Sequence, residues 1–236
     1  MSAYSLGRVA QYARYHYTSQ TKNYLSLFLV CVAMPALFGI LSRDVYVAIG
    51  ISTAIYTLGG IAYALRTTYA MRHRGTKVME CSLPVSNEER MTFMLCNLAV
   101  GFPLFAAITA VLGVAIVYPF SYTDADLVVV LSEMISDTFM RWQLYVFVQI
   151  VTSMSLLLNI VARRSLFVAY LGTFIGFVLF IGIVARVGAH VLMNVDPYVL
   201  ESINFDEDVA AVVFILIPVM LYALSYWALR RRQMRW

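Results

Sequence analysis

Residues 24–41 read YLSLFLVCVAMPALFGIL, eighteen positions without one charged side chain. A helix needs ~20 apolar residues to cross a hydrocarbon core, and inside lipid only helices and closed barrels satisfy their own backbone polar groups. Five more uncharged runs follow, at 45–65, 92–117, 143–162, 165–185 and 209–229. Composition agrees: 61% of residues are hydrophobic and 13% charged, where a soluble domain carries roughly a quarter charged. The chain therefore reads as an all-α polytopic membrane protein, one domain over 1–236 with six transmembrane helices.

Charge orients the runs. Arg8, Arg14 and Lys22 precede the first; Arg66, Arg72, Arg74, Lys77 and Arg90 lie between the second and third. Arg163 and Arg164 separate the fourth from the fifth, and Arg230, Arg231, Arg232 and Arg235 follow the last. The alternate connections hold only Arg43, Arg141 and Arg186. Lys and Arg concentrate on the cytoplasmic side, so both termini are expected inside, in a cytoplasmic (inner) membrane. The net charge of +4 then reflects topology and attraction to anionic membrane lipids; no nucleic-acid partner is implied.

The first 23 residues precede any apolar run and show no small-residue cleavage site, so no cleavable signal is expected. Leu6, Val9, Ala10, Ala13 and Tyr17 recur at helical spacing, which predicts an interfacial helix over 1–23, with Tyr12, Tyr15 and Tyr24 suited to the lipid–water boundary. On the opposite side, 124–139 places Leu127, Val130, Leu131, Met134 and Ile135 on one helical face, and 190–205 shows a similar pattern broken by Pro197. Short helices lying in the outer leaflet are expected there. Cys31, Cys81 and Cys96 suggest no disulfide framework.

Catalytic signatures are missing. His16 and His73 fall on the side opposite His190, and the chain holds no HExxH, CxxC or GxSxG pattern and no acid cluster at ligand spacing. Neither an enzyme, nor a cofactor, nor a metal is expected. Asn97 in the third run, with Gln149, Thr152, Ser153, Ser155 and Asn159 in the fourth, are the mid-span polar groups. Asn97, Gln149 and Asn159 fit either a lined pathway or hydrogen bonds between helices, the commoner use. Gly172 and Gly176 fit close helix packing.

The connection at 66–91 is the most informative. It contains RHRGTKVMECSLPVSNEER at 72–90. Gly75 permits a turn, Pro84 stops a helix, and Ser86 with Glu89 fits a capping box that starts the third span. Thr76, Lys77, Val78, Met79, Glu80, Cys81, Ser82 and Leu83 lie between as one short surface helix. Gly75-Thr76, then Leu83-Pro84-Val85-Ser86, then Glu88-Glu89-Arg90 resemble the loop between spans two and three of type-2 ABC transporter permease subunits. That resemblance implies an elbow helix before six spans and a coupling helix at 76–83 that docks on a separate ATP-binding subunit. It also implies assembly as a homo- or heterodimer. No GxxxxGK[ST] phosphate loop occurs in this chain, so nucleotide chemistry would belong to the partner. The expected function is the membrane permease of an ATP-driven exporter. The alternative is a non-transporting membrane scaffold or immunity-type binding protein.

Overall fold

A computed structural model describes residues 4–68, 85–161, 167, 170, 171, 186 and 207–233. Within them all regular structure is helical: α1 (Leu6–Ser19), α2 (Thr21–Ser42), α3 (Val45–Thr67), α4 (Asn87–Cys96), α5 (Phe102–Val117), α6 (Leu127–Met134), α7 (Trp142–Val161) and α8 (Glu207–Gln233). A π-turn at Asn97–Gly101 joins α4 to α5, and a second, Ile135–Phe139, follows α6. Five of the described helical segments are long and apolar enough to cross a membrane: α2, α3, the α4–α5 rod (Asn87–Phe120), α7 and α8. Most of the expected run at 165–185, Gly172 and Gly176 included, lies outside the described residues, as do the outer segment 190–205 and the coupling helix 76–83.

The hairpin between α2 and α3 is set by three residues. Arg43 adopts the left-handed conformation with φ 55° and caps α2, which is uncommon for a non-glycine residue. Its guanidinium compensates: it stacks 5.4 Å from the Tyr122 ring centroid and donates to the Tyr122 hydroxyl. The Tyr122 amide returns a bond to the Arg43 carbonyl at 3.2 Å. Asp44 then accepts from the Tyr46 amide at 2.8 Å as the α3 N-cap.

Two packed clusters divide the bundle lengthwise. Near the Arg43 end, Ala36, Val45, Ala48, Ala110, Val114, Val117, Val130 and Met134 pack α2, α3, α5 and α6 together. The face expected on 127–135 is the one that packs: Val130 and Met134 are buried and Asp126, Glu133 and Asp137 are exposed. The following π-turn pushes inward, setting Phe139 4.7 Å from the ring of Tyr56, halfway along α3. Toward the α1 end, Tyr12, Tyr56, Tyr63, Met91, Phe93, Met94, Leu98, Phe102, Leu156 and others form the second cluster. There α3 and α7 approach so closely that a Cβ on Gly60 would stand 2.4 Å from the Thr152 methyl.

Burial on α1 falls mostly beside its apolar stripe. Its buried residues are Tyr12 and His16, and Gln20 follows them, while Leu6, Ala10 and Tyr17 are exposed and only Val9 and Ala13 flank the bundle. The polar side with Arg8 and His16 faces the protein because its partners, Glu89 and Tyr24, sit there. Leu6 and Ala10 face outward, while Tyr17, partly exposed, turns its hydroxyl to Asn97. Tyr12 and Tyr24 therefore pack within the bundle.

Candidate functional site

Proline 84 lies outside the described residues, and the chain resumes at Val85. Ser86 accepts from the Glu89 amide at 3.2 Å, and Glu89 Oε2 accepts from the Ser86 amide at 2.8 Å. Both arms of the capping box are made, so α4 begins at a sharply fixed point.

Glu89 does more than cap. Its second oxygen, Oε1, accepts from the Ser5 amide at 2.8 Å and from Arg8 Nε at 2.9 Å, and the second guanidinium nitrogen stands at 2.7 Å. The Glu89 side chain is fully buried, whereas that of Arg8 is 29% exposed. A buried carboxylate is tolerable only when its lone pairs are occupied, and here four donors converge on it. One side chain thus starts α4 and holds the first turn of α1.

One helical stretch further, Asn97 occupies the π-turn, 4% exposed. Its Oδ1 accepts from Tyr17 on α1 and from Tyr63 on α3, the latter at 2.9 Å. Its Nδ2 donates to Thr67 at 3.0 Å and to the Tyr24 hydroxyl at 3.5 Å. Tyr24 in turn meets His16 Nε2 at 3.1 Å. Four helices are tied through one amide. A Cβ at position 101 would stand 2.8 Å from Asn97 Oδ1, so Gly101 leaves room for that oxygen. Burial pushes the His16 pKa from 6.5 down to about 4, since Tyr12, Tyr17, Tyr24 and Phe93 enclose the ring and keep water from a charged form.

The break in helical bonding is also answered. Pro103 lacks the N–H that would reach the Ala99 carbonyl four residues back, and the Tyr145 hydroxyl donates to that carbonyl at 3.0 Å. Neighbouring helices commonly repair such gaps in membrane proteins.

The remaining expected polar residues lie elsewhere. Gln149 and Asn159 are buried on α7 with Thr152, Ser153 and Ser155. Gln149 Oε1 accepts from Tyr222 on α8 at 2.9 Å, and Asn159 Oδ1 from Tyr170 at 3.2 Å. Thr152 and Ser153 bond to their own helix backbone. Among the described residues no hydrogen bond joins this face to Asn97. No group of three or more His, Cys, Asp or Glu that could hold a metal occurs among the described residues.

The sequence reading passed over Arg8, His16, Tyr17, Tyr63 and Tyr145. Arg8 showed only as a cation off the apolar stripe, with nothing to name its partner, and the tyrosine hydroxyls carried no signal. No known family model matches the chain, and neither the curated proteins nor the solved structures hold a match to it.

Proposed function

We propose that this chain is the membrane permease subunit of an ATP-driven ABC exporter, with six spans, both termini cytoplasmic and an inner-membrane location. A separate ATP-binding subunit docks on Thr76–Leu83, and the permease works as a homo- or heterodimer. One observation carries this reading: the last residues of the 66–91 connection are fastened to α1 and the third span at once, through Glu89. A push on the connection would reach both elements together, because Glu89 is held by Arg8, Ser5 and Ser86. The Gly75-Thr76 and Leu83-Pro84-Val85-Ser86 resemblance supplies the identity of the pusher.

Affinity purification from membranes in mild detergent tests it. An ATPase subunit should accompany the chain and be lost when 76–83 is deleted. Recovery of the chain alone, in the same yield with and without 76–83, would favour the non-transporting scaffold instead.

A further inference from the structure

Along the seam where α4 meets α8 runs a groove of about 430 Å³, lined by Glu88, Met91, Thr92 and Leu95 on one side and Val219, Tyr222, Ala223 and Tyr226 on the other. Its floor is apolar, and both flanking helices are long enough to stand in a bilayer, so the molecules that reach it first are lipids. Its α1 end is polar and holds an acid, with a base one helical turn beyond the lining on α8. Glu88 is exposed there with the Tyr226 hydroxyl at 3.5 Å. Arg230, also exposed, follows Tyr226 by four residues on the same face of α8. Neither Glu88 nor Arg230 makes an ion pair among the described residues. Glu88 gains something as a first-turn acid on α4, but that does not account for an apolar slot leading away from it.

We propose that this groove binds one phospholipid with a primary-amine headgroup, its acyl chain lying between Leu95 and Val219. The ammonium donates to Glu88 and Tyr226, and the phosphate lies against Arg230. The two charges match a zwitterionic headgroup better than an anionic one, because an anionic glycerol head would meet the Glu88 carboxylate with no cation to offer it. An acyl chain suits the floor for the ordinary reason that dispersion contacts replace a void. The binding does not depend on transport or on any ATPase.

Native mass spectrometry of the full chain, released from nanodiscs of equimolar phosphatidylethanolamine and phosphatidylglycerol, tests the assignment. One phosphatidylethanolamine should be retained in preference, by roughly fivefold, the selectivity of a partly exposed charge-assisted hydrogen bond. Glu88→Gln should bring the two lipids to parity while still holding one. Leu95→Trp, which fills the groove, should release both, and Ala223→Phe serves as a second filling variant, with helix content checked by circular dichroism. Retention unaltered in both folded filling variants would overturn the proposal. So would equal retention of the two lipids by the wild type, or no retained lipid at all.

Discussion

The two ends of the bundle are held by different physics. At the Arg43 end the helices meet through Ala36, Val45, Ala48, Ala110, Val114 and Val117, with Gly39 so tightly placed that a Cβ would stand 2.6 Å from a Val117 methyl. At the α1 end they meet through a carboxylate, an amide, an imidazole and three tyrosines. Lipid tails are as apolar as leucine, so greasy packing alone gives helices in a bilayer little reason to prefer one another. Small residues answer this by close contact, and polar residues by fixed partners. The first solution fits any neighbour of the right shape. The second fits only one register, which suits the end that carries α1 and the connection to α4.

Removing the acid should break the contrast most strongly. Glu89→Ala strands Arg8 and the Ser5 and Ser86 amides, and should give the largest fall in the unfolding midpoint in detergent among these substitutions. An unchanged midpoint would mean that α1 is not fastened there.

Acid should then loosen the α1 end alone. His16 has a folded pKa of about 4 against 6.5 unfolded, so the unfolded chain takes up the proton first. Stability is full above about pH 6.5, falls as the pH drops toward 4, and is level below that; by pH 5 the loss should reach about 2 kcal/mol. His16→Phe should flatten that part of the pH profile.

At the opposite end, Gly39→Ala should cost about 1–2 kcal/mol by overpacking, and Val117→Ala should restore most of it in the double variant. Failure of the rescue would show that the glycine matters for something other than close approach.

The smallest effect sharpens the comparison between the halves of the third span. Tyr145→Phe should cost about 1 kcal/mol by leaving the Ala99 carbonyl without its donor. Pro103→Ala, which supplies an N–H of its own, should make the same change nearly neutral. Hydrogen exchange at 97–103 would read both.

The sequence spoke plainly about some of this and not about the rest, for reasons that differ residue by residue. Uncharged runs such as 24–41 announced their helices because lipid leaves the backbone no alternative. Ser86 and Glu89 were legible because a capping box acts over three residues and involves no distant partner. The Val130 and Met134 face could be read from spacing for the same reason. Arg8 with Glu89 could not, since 81 residues separate them and nothing local shows that they meet. Nor could Tyr145, whose partner is a backbone carbonyl freed by a proline on another helix. The side of α1 that meets the protein was not legible either, because its partners, Glu89 and Asn97, are distant in sequence and polar.

That orientation has an outcome for the whole molecule. With Leu6 and Ala10 directed away from the bundle and Tyr17 reaching in to Asn97, α1 keeps a narrow apolar edge outside while Glu89 and Asn97 fasten it from within. Swapping Leu6 for a lysine should weaken the hold of that edge on a bilayer surface without disturbing a contact among the helices below.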